Sequence, residues 1–337
     1  MSRKRVLALF SGGLDSILSI LWMQRLDYKV QPVFFKSYFF GPDKVEKIAS
    51  SIGFSLRVID ISEKLLEVIK HPRYGFGKNM NPCIDCHSLM FREAGRMMES
   101  EGYDFLISGE VLGQRPMSQR YDAMNSVSKL SGYRDYIIRP LSQKLLPDTK
   151  PIREGWVKKE EMLDIQGRSR QRQLELAREF KLNEYSSPGG GCLLTDRGFS
   201  TRLMDLMKND MLDKAFIKFL RYGRHFRLNS ETKLLIGRNK EELEELFRYV
   251  SDETVLRAAN CTGPVGVINS KREIGDQELK KAAAIVLSYT NKAKERDSVE
   301  YGTNNNYHST LTVEKLARNE IDKLLIKANE GCKENEI

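Results

Sequence analysis

The sequence predicts an α/β protein: a doubly wound parallel sheet followed by a second, smaller α+β domain. Three observations point there. An apolar run, Val6 to Phe10, has the length of a buried parallel strand and breaks at Ser11-Gly12-Gly13 before a helical pattern resumes. Strand-like and helix-like segments then alternate through the first half, as βαβ units do. From Phe199 to about Lys294 that alternation gives way to mixed strands and helices with many arginines.

Taken in order, Val6–Phe10, Val30–Phe35, Leu56–Ile59, Asp104–Ser108 and Tyr136–Ile138 read as strands. Helical patterns lie between them near Asp15–Leu26, where Ile17, Leu18, Leu21 and Trp22 have helical spacing, and near Asp43–Ile52, Glu63–Lys70 and Ser88–Glu101. Glu154–Phe180 is charged and helical, and Ser186–Asp196, "SSPGGGCLLTD", is a loop. Residues 295–310, with "GTNNNYHS", read as a linker, and Val313–Ala328 as a terminal amphipathic helix. The expected domains are therefore residues 1–197, 198–294 and a linker with terminal helix over 295–337. In a doubly wound sheet ligands sit above the strand C-termini. The Ser11–Ser16 loop lies on that edge, and so do Gly109 and Glu110.

Composition narrows the partners. The chain has 337 residues, with 55 Lys and Arg against 46 Asp and Glu, a formal charge of +9. That balance suits a polyanionic partner. The start, "MSRKRVLALF", is basic but too briefly apolar for a signal peptide. No run approaches the ~18 apolar residues of a membrane span. The expectation is a soluble, cytoplasmic protein, in which five cysteines argue for metal or redox chemistry rather than a disulfide framework.

The loop at Ser11 joins a strand's C-terminal end to a helix N-terminus. Such a turn gathers unpaired backbone N–H groups and the positive end of the helix dipole, and two glycines let backbone approach an anion closely. Phosphate is the natural guest, although a plain Gly-rich turn would read the same way if the pair stood alone. The string is neither a Walker loop nor a Gly-x-Gly-x-x-Gly fingerprint.

Cys83 and Cys86, in "NPCIDCH", are two thiols at a helix start. The string also fits the Cys-x-x-Cys-His haem attachment pattern, which would need an export signal. Half of a zinc site and a pair of core cysteines are the other readings. The remaining well-placed thiol is Cys192, framed by Gly189, Gly190 and Gly191. Three cysteines suit a [4Fe–4S] cluster with one iron left open better than they suit zinc. Cys261 and Cys332 lack partners and read as structural or incidental.

In the second half, "KFLRYGRHFRLNSETKLLIGRNK" from Lys218 to Lys240 holds seven Lys or Arg, His225, the aromatics Phe219, Tyr222 and Phe226, and one acid, Glu231. Arginines interleaved with aromatics contact phosphates and stack on unpaired bases. A solvated basic face is the alternative. Arg221, Arg224, Arg227, Lys233 and Arg238 are the candidate RNA-binding residues.

These motifs together resemble a known group. Ser11-Gly12-Gly13-Leu14-Asp15-Ser16 resembles the PP-loop of the ATP pyrophosphatase family, which splits ATP into AMP and pyrophosphate. The loop joined to a Cys-x-x-Cys and a distant third cysteine resembles that family's tRNA thiolation branch, the 4-thiouridine synthetases and 2-thiouridylases. "RHFRL…LLIGRNKEE", and weakly "KAAAIVLSYTNKAKE", resembles the NFACT RNA-binding domain. The first resemblance implies an adenine nucleotide alpha hydrolase-like fold and ATP-dependent tRNA uridine thiolation, most simply of the 4-thiouridine type. It places ATP on Ser11, Gly12, Gly13, Asp15, Ser16 and Gly109, with Mg²⁺ near Asp15. It also makes Asp15, Cys83, Cys86 and Cys192 the catalytic set, with the three thiols holding a [4Fe–4S] cluster that delivers sulfide to an adenylated uridine. Glu110, Arg115 and Gln119 are candidates for placing ATP or the base.

The 4-thiouridine synthetases usually carry an RNA-binding THUMP region before the loop, where this sequence has ten residues, so RNA capture is expected from the NFACT-like region. The implied partners are tRNA and a sulfur donor, either free sulfide or a cysteine desulfurase, and a homodimer is compatible with the sequence. Three alternatives stay open at this point: a 2-thiouridylase using a persulfide, a PP-loop amide ligase using ammonia, and a nucleotide-sensing RNA-binding protein with zinc on its cysteines.

Overall fold

The computed structural model describes residues 3–186, 191–303 and 306–327. The chain forms two compact units, residues 1–195 and 196–337.

The first unit is a five-stranded, all-parallel sheet. Its strands are β1 (Arg5–Leu9), β2 (Lys29–Lys36), β3 (Arg57–Asp60), β4 (Phe105–Ser108) and β5 (Ile137–Ile138), in the order β3-β2-β1-β4-β5. β1 is central, pairing Val6 with Val30 on one side and with Phe105 on the other. Its residues Val6, Leu7 and Ala8 are fully buried because helices cover both faces, which is why the strand is apolar without alternation. The helices between strands are α1 (Leu14–Arg25), α2 (Asp43–Ile52), α3 (Ser62–Lys70) and α4 (Cys83–Glu101), followed by α5 (Tyr121–Ser131) after β4. The strand order reverses between β1 and β4, so their C-terminal ends flank the crevice where such sheets bind ligands. Within Glu154–Phe180 the regular helix is confined to Gln171–Glu179; most of the rest is irregular chain.

The second unit is a six-stranded sheet whose pairings are all antiparallel: β6 (Arg224–Arg227), β7 (Thr232–Ile236), β8 (Thr254–Ala258), β9 (Gly266–Ser270), β10 (Arg296–Thr303) and β11 (Asn306–Glu314). Their order is β11-β10-β8-β9-β7-β6. Leu234 and Ile236 of β7 join the core under the helix Asp276–Ser288, while Leu235 packs with Phe219 and Leu246 in a separate core. β7 is thus buried throughout.

The expected linker over 295–310 is corrected by this sheet. β10 and β11 form an antiparallel ladder from Arg296↔Glu314 to Thr303↔Asn306, with a register shift at Tyr301/Gly302. Val299 is fully buried, and β11 alternates exposed and half-buried positions, the period of a strand with one covered face. Gly302 is required there, since a Cβ would lie 1.7 Å from the Asn306 carbonyl oxygen. The expected terminal helix is likewise shorter: Val313 and Glu314 belong to β11, and the helix is Arg318–Leu324. Residue 328 lies outside the described residues.

Candidate functional site

The loop after β1 is shaped by its own short hydrogen bonds. Gly12 takes φ +71°, a conformation that favours glycine, and Gly13 is the N-cap of α1. The buried Ser16 hydroxyl donates to the Gly13 carbonyl at 2.7 Å and receives the Ser11 backbone N–H at 3.3 Å. Ser11 Oγ lies 3.3 Å from Ser16 Oγ and 3.5 Å from the Gly13 nitrogen. The result is a tight turn opening onto the first turn of a twelve-residue helix, where backbone N–H groups lack intrahelical acceptors. Ser186 N–H donates to the Gly12 carbonyl at 2.9 Å, fastening the chain that leads toward Cys192 against this loop.

Gly109 closes the other side. A Cβ on it would lie 2.5 Å from the Asp15 carbonyl and the Ser16 nitrogen, so only glycine lets the end of β4 come against the first turn of α1. Asp15 sits in that turn. Burial raises its pKa above the ordinary carboxylate value, against the Gln114 hydrogen bond and the nearby Arg170 and Arg115 guanidinium groups, which favour the charged form. Gln114 Nε2 donates to Asp15 Oδ2 at 2.6 Å, while Oδ1 is buried without a partner.

Glu110, the next residue, does not face ligand space as the sequence reading expected. Its carboxylate is buried and accepts from Arg139 Nε at 2.8 Å and from Ser108 Oγ at 3.2 Å. The other oxygen lies 3.3 Å from Nδ1 of His87. Burial pushes the Glu110 pKa up, but Arg139 and His87 outweigh it and hold the group at about 2. Arg139 is itself buried and spends another N–H on Ser128 Oγ. Of the other two candidates, Arg115 is exposed and Gln119 is buried, its Oε1 without a partner.

His87 follows Cys86, so this carboxylate ties the strand edge to the cysteine helix. Cys83 and Cys86 occupy the first turn of α4. Asp85 accepts from the backbone N–H groups of Arg73 and Tyr74 at 2.9 and 3.0 Å, and Asn81 Nδ2 donates to Cys83 Sγ at 3.2 Å. Cys192 comes back to this helix: Leu193 N–H bonds the Phe39 carbonyl at 3.1 Å, and Asn79 Nδ2 bonds the Thr195 carbonyl at 2.7 Å. Burial pushes the Cys86 thiol well above its usual range, with the charges of Cys192, Cys83 and Asp85 adding to it. Burial likewise raises Cys192 to about 11, with Cys83 adding and a hydrogen bond from Leu194 N–H opposing. Gly191 takes φ +126°, while Gly189 and Gly190 lie outside the described residues.

Among the described residues no three His, Cys, Asp or Glu side chains converge on one ion position. A single structural zinc needs such convergence. A four-iron cluster takes each thiolate on a different iron, so its three thiols need not converge on one ion position. Cys261 is half-buried in the second unit, and Cys332 lies outside the described residues.

In the second unit the basic segment divides. Arg221, Arg224 and Arg238 are exposed, Arg224 lying over the Tyr289 ring at 5.4 Å and Arg238 donating to the Gly223 carbonyl at 3.2 Å. Arg227 and Lys233 are corrected: both pair with Asp205 on the covered side of the sheet. Lys233 is 1% exposed, and burial lowers its pKa to about 8 despite Asp205. A buried ammonium already facing a carboxylate cannot serve a phosphate. Phe219, Phe226 and His225 are core residues as well, leaving Tyr222, stacked on Tyr249, as the accessible aromatic of that segment. Periodicity alone could have flagged Lys233, since it lies inside the apolar run "TKLLI".

Comparison with known proteins agrees with these two halves. Residues 1–144 match the family described as thiamine biosynthesis protein (ThiI), and residues 223–325 match the NFACT protein RNA binding domain. A tRNA-specific 2-thiouridylase of Sulfurimonas denitrificans is 28% identical over 153 residues, 42% of this chain and 45% of the relative. A probable tRNA sulfurtransferase of Finegoldia magna is 32% identical over 147 residues, 42% of this chain and 36% of the relative. The chain thus spans less than half the length of these curated relatives. Among solved structures, a 4-thiouridine synthetase–RNA complex with bound ATP is 22% identical over 54% of this chain and 43% of its own, at TM-score 0.36. The U34-tRNA thiolase of Methanococcus maripaludis with its [4Fe–4S] cluster is 16% identical over 66% and 72%, at TM-score 0.34.

Proposed function

We propose that this chain, similar over its first 144 residues to the ThiI family of PP-loop tRNA-thiolating proteins, is an ATP-dependent tRNA sulfurtransferase acting on a uridine. One observation carries the reading: the consecutive residues Gly109 and Glu110 touch, respectively, the first turn of the phosphate loop's helix and the histidine beside Cys86. The Ser11–Ser16 turn and the cysteine helix thereby meet at one sheet edge, which supports a site joining nucleotide and thiol chemistry.

In this reading the Ser11–Ser16 backbone and the α1 N-terminus hold the pyrophosphate end of ATP, and Asp15 orients it or its Mg²⁺. The uridine carbonyl oxygen attacks the α-phosphate, a P–O bond forms, and pyrophosphate leaves. Sulfide then attacks the activated carbon, the C–O bond breaks, and AMP leaves. Gly109 keeps the loop pressed against β4, and Glu110, locked on Arg139, holds His87 and with it the start of α4. A [4Fe–4S] cluster on Cys83, Cys86 and Cys192 would supply an iron with an open position for sulfide. The exposed Arg221, Arg224 and Arg238 would meet tRNA phosphates, which the match to an RNA-binding domain supports.

The test is anaerobic incubation with tRNA, ATP, Mg²⁺ and sulfide, with mass spectrometry of the nucleosides. The expected outcome is a thiolated uridine with AMP and pyrophosphate released in equal amounts. ATP cleavage that consumes ammonia and leaves uridine unthiolated would replace this reading by an amide ligase. Iron-free protein that fails to thiolate with sulfide but thiolates fully when a cysteine desulfurase and cysteine supply the sulfur would favour the persulfide route of a 2-thiouridylase.

A further inference from the structure

The Asp15 carboxylate has one close hydrogen bond, on Oδ2, while Arg170, Arg115 and the Gln173 amide lie near enough to favour its charged form. Gln114 Nε2 donates to its Oδ2 at 2.6 Å, and Gln114 Oε1 in turn accepts from Gln173 Nε2 at 2.8 Å. Gln173 is fully buried on the helix Gln171–Glu179, whose Leu176 and Ala177 pack against Leu14 and Leu18 of α1. A fully buried amide in a packed helix costs free energy unless every polar atom is served, yet Gln173 Oε1 has no partner. Asp15 Oδ1 and Arg170 Nε are buried and unpartnered too. A leucine or methionine at 173 would pack the helix without this cost, so packing does not explain the amide. A fixed carboxylate with one oxygen held and the other left free does.

We propose that Gln173 is a positioning residue that acts through Gln114, and by its own nearness, to set the Asp15 carboxylate, leaving Oδ1 free for the cation-bound phosphates of a nucleotide. The proposal rests on the reading of the Ser11–Ser16 loop as an ATP site. It goes beyond that reading because the helix Gln171–Glu179 lies outside the segment matched to a thiolation family. The relay runs side chain to side chain from one helix to another, so it holds Asp15 only while the two helices are packed.

The experiment is a double-mutant cycle on the whole chain: parent, Gln114→Met, Gln173→Met and the double variant. Three readouts are taken, namely the affinity for a non-hydrolysable ATP analogue with Mg²⁺, kcat and KM for pyrophosphate release, and the melting temperature. Gln173→Met is expected to lower kcat about tenfold and weaken the analogue several-fold, with the melting temperature held or raised. The double variant should fall well short of the product of the two single losses, because both act on one carboxylate. Gln173→Leu removes the same donor without adding a charge and should match Gln173→Met; it also serves if the methionine variant does not fold. Analogue affinity and kcat equal to the parent in Gln173→Met, losses that multiply in the double variant, or losses that follow a fall in melting temperature would each overturn the relay. A parent that binds the analogue while every variant binds it equally sinks the relay alone. A parent that does not bind it sinks the ATP-site reading as well.

Discussion

Gly109 and Asp15 meet backbone to backbone: a single added carbon on Gly109 would stand 2.5 Å from the Asp15 carbonyl carbon and oxygen. This is the contact by which β4 presses on the Ser11–Ser16 loop, and it cannot be relieved by a side chain swinging away. Gly109→Ala is therefore expected to displace the first turn of α1, lower pyrophosphate release about a hundredfold and cost roughly 1–3 kcal/mol of stability. Steady-state kinetics beside urea unfolding check it, and parent-like kinetics would show that the loop tolerates the shift.

Asp15→Asn separates charge from shape. Because burial raises the Asp15 pKa, ionising this group opposes folding above its unfolded pKa, so removing the charge should leave stability unchanged or slightly higher near neutral pH. ATP-dependent pyrophosphate release should nevertheless be abolished. Retained release by the folded variant would remove Asp15 from the site.

Glu110 gives a pH signature. Its folded pKa of about 2 lies below the ordinary 4.5, so its contribution is fully present above pH ~4.5 and is lost as pH falls toward 2. The shift corresponds to about 3 kcal/mol. Glu110→Gln should destabilise the neutral protein by at least that amount, since Arg139 is left buried without its carboxylate, and should flatten the acid limb of stability against pH. Denaturant unfolding at several pH values measures both effects.

Cys192→Ala tests the three-thiol assignment. Two thiolates from one short motif are too few to keep four irons, so iron and acid-labile sulfide after anaerobic reconstitution should fall together with tRNA thiolation, while the melting temperature of the iron-free proteins stays close to the parent's. An iron-free parent with full activity would rule out the cluster, and a fully active variant would exclude Cys192 from sulfur transfer.

The basic segment of the second unit should split by exposure. Arg221→Ala with Arg224→Ala should weaken tRNA binding and reduce the log–log salt slope by about one unit per lost phosphate contact. Lys233→Met should change that slope little and act on stability, because its ammonium faces Asp205 inside the unit. If the two variants have equal salt slopes, the exposed arginines are not phosphate contacts.

The strands of the parallel sheet and the Ser-Gly-Gly turn after the first of them were legible in the chain because both are local. Val6–Phe10 is apolar for lack of any solvent face, and Ser11–Ser16 carries its glycines and hydroxyls within one turn. The strand pair β10–β11 was missed because "GTNNNYHS" has turn composition, whereas its pairing with β8 and its burial are long-range facts. Residue types and spacing alone determined the turn at Ser11–Ser16 and the strand–helix order of the first unit. Tertiary structure alone decided that Glu110 is spent on Arg139, that Gln173 reaches Asp15 through Gln114, and that Lys233 and Arg227 turn inward to Asp205. The physical reason is that a charged or polar side chain is written identically in sequence whether water or a buried partner will satisfy it, and only packing chooses between them.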